Sequence, residues 1–116
     1  MSGKKFDIED RLVILAATIA LFCKNMPKDI VGQYYGGQLI RSGGSAALNF
    51  GEVQGTNTNR DFVNKSTICL KELKETRVNL KILSRIRYGD RSKRLFLLKE
   101  VEELIKIIAT IIRNKK

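Results

Sequence analysis

The 116-residue chain contains no histidine and no tryptophan, a single proline and two cysteines. Without histidine it lacks the side chain most often used as a general base at neutral pH and as a metal ligand. Cys23 and Cys69 stand too far apart to supply the paired clusters of a structural zinc site. These absences exclude most enzyme classes, and no catalytic residue, metal or cofactor is expected. Each cysteine falls within an apolar helical pattern, where a thiol behaves as a small hydrophobe, so free buried thiols in a reducing compartment are expected rather than a disulfide. Long apolar runs are also missing. The longest, Leu12 to Cys23, has twelve residues, against the roughly 20 that span a bilayer. A secretory leader would run from a basic start directly into apolar sequence, but Asp7, Glu9 and Asp10 follow Lys4 and Lys5. No membrane association and a cytoplasmic location are expected.

What the chain has in excess is positive charge. Twenty-two Lys and Arg stand against twelve Asp and Glu, a net +10, which suits an anionic partner such as nucleic acid or an acidic protein surface. At 43% hydrophobic it also carries enough apolar material for one core, and residues 1–116 are read as a single domain.

Periodicity predicts four helices. The first is expected from Asp7, an acidic start that complements the helix dipole, to Asn25, since Pro27 blocks continuation. Leu12, Leu15, Ile19 and Phe22 form its main face, and Val13, Ala16, Ala17 and Ala20 widen it beyond the stripe one bundle core needs. Residues 29–54 are glycine-rich, and propensity alone would make much of them loop. Val31, Tyr35, Leu39, Ala46, Phe50 and Val53 nevertheless recur at helical spacing, and the segment is read as a second helix. In it Gly43, Ala47 and Gly51 form a smooth row for close helix contact. Neither a dinucleotide-binding nor a P-loop glycine pattern is present.

Thr58 to Asp61 reads as a capping box opening the third helix, whose seam is Phe62, Ser66, Cys69, Leu73, Thr76, Leu80, Leu83 and Arg87. Gly89 is expected to end it. Asp90 or Ser92 then caps a fourth helix with the seam Leu98, Val101, Ile105, Ile108 and Ile112, flanked by Leu97, Leu104 and Ile111. Long helices joined by short connections imply an all-α, up-down-up-down antiparallel four-helix bundle.

Residues 36–55 (GGQLIRSGGSAALNFGEVQG) and 60–83 (RDFVNKSTICLKELKETRVNLKIL) carry a further pattern. Arg41, Ser42, Ser45, Asn49, Glu52 and Gly55 make R-S-x-x-S-x-x-x-N-x-x-E-x-x-G, and Leu70 to Thr76 make L-K-E-L-x-E-T. Over about Phe6 to Arg113 the chain resembles the bacterial 23S rRNA-intervening sequence proteins. That resemblance implies a homopentamer of bundles around a central channel, and no recognised active site. It includes relatives that assist the reverse transcriptases of diversity-generating retroelements, binding nucleic acid and a protein partner. The chain departs from the family pattern at Gly43 and Gly44, which weakens helix propensity there.

If the second and third helices turn back near residues 56 and 57, positions summing to about 113 face each other. Arg41 then meets Glu72, Gln38 meets Glu75 and Asn49 meets Asn64. Gln38, Arg41, Ser45, Asn49, Glu52, Glu72 and Glu75 are read as a structural polar network that fixes register. Ser42 and Ser45 have no histidine or nearby unpaired lysine to activate them as nucleophiles.

The excess charge is not spread evenly. Residues 60–94 hold eleven cations against four acids. Lys74, Arg77, Lys81 and Arg85 form one helical ridge, and Arg87, Arg91, Lys93 and Arg94 continue it around the Gly89 turn, with Asp90 the sole acid between Lys81 and Arg94. These eight residues are the candidate nucleic-acid contacts. No helix-turn-helix, zinc finger or aromatic stacking signature accompanies them, and Tyr88 is the only aromatic in the cluster, so any binding should follow the phosphate backbone. The leading expectation is a non-enzymatic homo-oligomer that binds RNA or DNA. The alternative is an adaptor that docks a partner protein such as a reverse transcriptase, without nucleic-acid contact of its own.

Overall fold

The computed structural model describes residues 7–116; Lys4, Lys5 and Phe6, which entered the reading above, lie outside the described residues. The chain forms α1 (Ile8–Lys24), α2 (Ile30–Gly51), a short 3-10 turn (Val53–Gly55), α3 (Asn59–Ile86) and α4 (Arg91–Lys115), with no strand among the described residues. Cross-helix contacts fix the directions. Cys23 lies against Gly36 across α1 and α2, Ser42 against Thr76 across α2 and α3, and Arg94 against Ser84 across α3 and α4. Arg11 of α1 reaches Glu100 of α4. Glu52, just past α2, pairs with Lys65 early in α3, whereas Ser42, further back, meets Thr76, further on. Phe22, late in α1, lies at Gly89 ahead of α4, whereas Arg11, early in α1, meets Glu100, so sequential neighbours are antiparallel and α1 closes the bundle antiparallel to α4.

α1 ends at Lys24 ahead of Pro27, as the sequence predicts, and buries Leu12, Leu15, Ile19 and Phe22. Asp7 stands at its N-cap position but makes no side-chain hydrogen bond to the first turn, so the expected carboxylate cap is not made. Val13, Ile14 and Leu21 are at least half exposed, so the apolar surplus of this helix is not covered within one chain.

The glycine-rich segment is one continuous helix that runs through Gly43 and Gly44. Asp29 caps it by accepting the Gly32 amide at 2.8 Å. A Cβ on Gly32 would lie 1.9 Å from the Pro27 carbonyl oxygen, so the reversal between α1 and α2 admits nothing larger there. The row of Gly43 and Gly51 faces α1: a Cβ on Gly43 would come within 2.7 Å of the Ile19 side chain, and one on Gly51 would meet the Glu9 carboxyl. Leu39, Ala46, Phe50 and Val53 enter the core, whereas Val31 and Tyr35 are half-buried.

At the start of α3, Thr58 accepts the Asp61 amide at 3.1 Å. Ser66, Cys69, Leu73, Thr76, Leu80 and Leu83 are buried along the predicted seam. Two corrections fall at its end. Arg87 leaves the helix in a left-handed conformation, φ 58° and ψ 43°, so it does not continue the seam, and it ends the helix two residues before Gly89. The Tyr88 amide donates to Leu83 O at 3.0 Å and the Arg87 amide to Ser84 O at 3.3 Å, the paired bonds of a Schellman motif. That motif usually takes glycine at the left-handed position, which is why the sequence points to Gly89 as the boundary. Gly89 is required for the turn that follows: its φ is +79°, and a Cβ would sit 2.4 Å from the Phe22 ring.

Asp90 caps α4 by accepting the Lys93 amide at 2.9 Å. Leu97, Val101, Leu104 and Ile108 are fully buried while Leu98 is only partly so. The inward face is therefore rotated from the predicted one, with Leu97 in the place assigned to Leu98. Each fully buried Leu or Ile contributes about 1.5–3 kcal/mol of transfer free energy, and all four helices feed the same cluster.

Both cysteines are free, Cys69 buried and Cys23 partly so. Burial pushes the Cys23 thiol up to about 11 and the Cys69 thiol up to about 12. At pH 8 the reactive thiolate is then on the order of a thousandth of either population or less. The native protein should react with a thiol-specific disulfide reagent at least about a hundredfold more slowly than a free cysteine, and two thiols per chain should titrate rapidly in denaturant. Fast stoichiometric labelling of the native protein would contradict this burial.

Candidate nucleic-acid interface

Polar residues between α2 and α3 set where the charged surface of α3 points. Arg41 donates through Nη1 to Glu72 Oε1 at 3.1 Å and through Nη2 to Glu75. The Glu75 bond, then the Glu72 bond, raise the Arg41 pKa above its ordinary value. Glu72 is buried, whereas the Arg41 side chain is about half exposed. Gln38 makes no hydrogen bond to Glu75 among the described residues. Asn49 does not reach Asn64 either; it donates to Ser45 O at 2.9 Å and Ser45 Oγ at 3.2 Å within its own helix. Glu52 pairs with Lys65 at 2.5 Å.

Deeper in the same interface, Ser42 Oγ and Thr76 Oγ1 lie 2.6 Å apart, both fully buried. Thr76 donates its proton to Glu72 O at 2.9 Å, so Ser42 must be the donor between the two hydroxyls. Sequence reasoning placed Ser42 in a motif and Thr76 in a seam without pairing them. It also missed Arg11, which grips Glu100 through Nε at 3.0 Å and Nη2 at 2.8 Å and reaches Glu103 at 2.6 Å. Those carboxylates hold the Arg11 pKa above its usual value. Only the closure of α1 against α4 brings these residues together.

At 100° per residue, Lys74, Arg77, Lys81 and Arg85 leave α3 on the flank away from Glu72 and Glu75. Lys74, Lys81 and Arg85 are exposed and Arg77 is half-buried. None of the four forms an ion pair with a described carboxylate. Arg87, Arg91 and Lys93 are exposed around the following turn and are likewise without such a pair.

Arg94 departs from its expected role as a surface contact. It is 5% exposed, and its guanidinium donates to the carbonyls of Tyr88 and Gly89 at 2.8 Å each and to Ser84 Oγ at 3.3 Å. It holds the α3–α4 turn because the start of α4 is brought over the two turn carbonyls, which have no helix of their own to bond them. Tyr88, the lone aromatic of the cluster, spends its hydroxyl on Asp29 Oδ2 at 2.5 Å. That bond, with the Gly32 amide, lowers the Asp29 pKa. It also sets Lys24 and Lys28 of the first reversal at the same end of the bundle as the arginines, a juxtaposition the sequence does not show. The basic tail, Arg113 to Lys116, lies at the opposite end, where Lys115 Nζ stands 4.9 Å from the centre of the Phe62 ring. Among the described residues no group of three or more side chains could hold a metal ion, and no helix is long and apolar enough to cross a membrane.

The profile of the 23S rRNA-intervening sequence proteins matches residues 4–110. The chain belongs to this family. A crystal structure of a protein of unknown function from the S23 ribosomal protein family, from Bacteroides thetaiotaomicron, is similar at 30% identity and a TM-score of 0.80. The match covers 90% of this chain and 97% of that one. Comparison with curated protein sequences gave no match. The intervening-sequence family fold is therefore shared along nearly the whole chain, and the Arg41, Glu72 and Glu75 cluster lies within the matched span.

Arg41→Ala should destabilise the protein by about 1–2 kcal/mol, because Glu72 loses its partner in a buried position while the exposed half of the site admits water. That is less than the roughly 3 kcal/mol expected for a fully buried pair. Denaturant unfolding of the variant checks it, and a change below about 0.5 kcal/mol would show that the pair does not hold the register.

Proposed function

We propose that this protein is a non-enzymatic homo-oligomer that binds nucleic acid, RNA or DNA, through phosphate contacts along the outer flank of α3 and the turn after it. The observation that carries this reading is the contrast between paired and unpaired cations. Arg11, Arg41 and Lys65 are each held by carboxylates, whereas Lys74, Arg77, Lys81, Arg85, Arg87, Arg91 and Lys93 face outward without one among the described residues. From Lys74 to Arg85 the ridge extends about 16 Å, or roughly five base-pair steps of a duplex. With no base-reading element beside it, binding follows charge and not sequence. The family name refers to an rRNA intervening sequence and names no binding activity, so the reading rests on charge placement.

Self-association is supported by a different face. Val13, Ile14 and Leu21 of α1 and Ile40 and Leu48 of α2 are each at least half exposed. Gly37 and Gly44 lie on the same side of α2, where a Cβ would meet nothing within the chain. Glycines that cost helix stability and serve no internal contact are accounted for by another subunit's close approach. Family resemblance makes the number five. The apolar face lies on α1 and α2 and the basic flank on α3, so the two are separate surfaces of one chain.

A second reading, an adaptor for a protein partner such as a reverse transcriptase, is favoured by one observation. Val78, Ile82 and Leu98 line an open groove of about 430 Å³ together with Lys81 and Arg85, an apolar content that phosphate contacts do not use.

Two measurements test these readings. Binding to duplex DNA should weaken steeply with salt, and a variant with Lys74, Lys81 and Arg85 all changed to Ala should bind less tightly, with a log–log salt slope shallower by about 2–3, similarly across unrelated sequences. No salt-dependent binding by the unmodified protein would favour the adaptor. Light scattering should give a mass about five times that of the chain, and Leu48→Glu with Ile40→Glu should shift it to smaller species. A monomer at micromolar concentration would remove the assembly.

A further inference from the structure

At the α3–α4 turn, Ser84, Arg87, Gly89, Arg91 and Arg94 line a pocket of about 380 Å³. Three of these five residues are arginines, and no carboxylate is among them. Two features set this pocket apart from an exposed cluster of cations. Arg94 is nine-tenths buried, and its recorded bonds, from Nε and Nη1, all go to neutral oxygens. Nη2 has no partner among the described residues, and no described carboxylate lies within ion-pair distance. A buried guanidinium with only neutral partners leaves charge that an incoming anion would compensate. Arg87, second, occupies the left-handed position that glycine fills in most Schellman motifs. Strain of this kind concentrates at ligand sites, and here it carries a guanidinium to the rim of the same pocket. The nearby acids keep their charge but turn their oxygens elsewhere: Asp90 accepts the Lys93 amide and Asp29 the Tyr88 hydroxyl, and neither is ion-paired with an arginine of the pocket.

We propose that this pocket seats a phosphate monoester dianion between Arg87, Arg91 and the free edge of Arg94, with the Ser84 side chain at its wall. Three guanidinium charges match a dianion better than the single charge of an internal phosphodiester. The dianion can come from the terminal phosphate of a nucleic-acid strand, which rests on the function proposed above, or from a small phosphorylated molecule, which does not.

Fluorescence anisotropy with one single-stranded oligonucleotide carrying either a 5′-phosphate or a 5′-hydroxyl distinguishes these, alongside thermal melting in inorganic pyrophosphate. The phosphorylated strand should bind at least tenfold more tightly, and Arg91→Ala and Arg87→Gly should each remove that preference. Because glycine suits the left-handed backbone, Arg87→Gly should melt no lower than the unmodified protein, which separates lost binding from lost folding. The variant with Lys74, Lys81 and Arg85 changed to Ala should weaken both strands alike and keep the preference. If the strands bind equally but pyrophosphate raises the melting temperature of the unmodified protein and not of Arg91→Ala, a small phosphorylated molecule is the source. Equal strand affinity together with no response to pyrophosphate overturns the seat. Salt-dependent binding of the 5′-hydroxyl strand in the same titrations reports separately on the nucleic-acid reading.

Discussion

The hold of Arg94 on the carbonyls of Tyr88 and Gly89 is the interaction on which one whole end of the bundle depends. The turn between α3 and α4 leaves the carbonyls of Tyr88 and Gly89 outside either helix, and a planar guanidinium serves both from one nitrogen while its Nε reaches Ser84. With the turn fixed, Tyr88 reaches Asp29, and Asp29 in turn caps α2 through the Gly32 amide. Gly89 brings the backbone against Phe22 of α1. Four helices thus meet at a turn of few residues, and the exposed cations project from beside it.

Charge elsewhere is sorted by what it faces. Between α2 and α3, and between α1 and α4, arginines meet carboxylates on the neighbouring helix. Such pairs contribute modestly to stability where they are half exposed, and they penalise a slipped register by leaving Glu72 or Glu100 without a partner. On the outer flank of α3 the carboxylates are absent, and the cations stand beside Val78 and Ile82 instead. The outward side of α1 and α2 has almost no charge. One helix pair carries the apolar surface, the other the basic one, and the polar pairs between them keep both in place.

Much of the fold was legible from spacing. The four helices, the continuity of α2 through its glycines, the Thr58 and Asp90 caps and the meeting of Arg41 with Glu72 and Glu75 follow from 3.6-residue periodicity and the short α2–α3 connection. The misreadings share a cause. Periodicity shows that residues recur, but it fixes the inward direction of α4 only to within a residue, hence Leu97 in place of Leu98. Propensity assigns left-handed backbone to glycine, hence Gly89 in place of Arg87. The candidate site was legible as a list of cations and not as an arrangement.

Composition and pattern by themselves determined that the chain is helical, basic and poor in catalytic side chains, because those properties are local or additive along the chain. Tertiary structure alone decided which cations are free. Arg94 and Arg91 are three residues apart and chemically identical, yet one is buried on backbone carbonyls and the other faces solvent. The difference arises from the geometry of a turn, which puts the end of one helix within reach of a side chain on the next. Ser42 with Thr76 and Arg11 with Glu100 are likewise distant in sequence and adjacent in space. Burial and partnership are relations between helices, and a one-dimensional pattern holds no record of them.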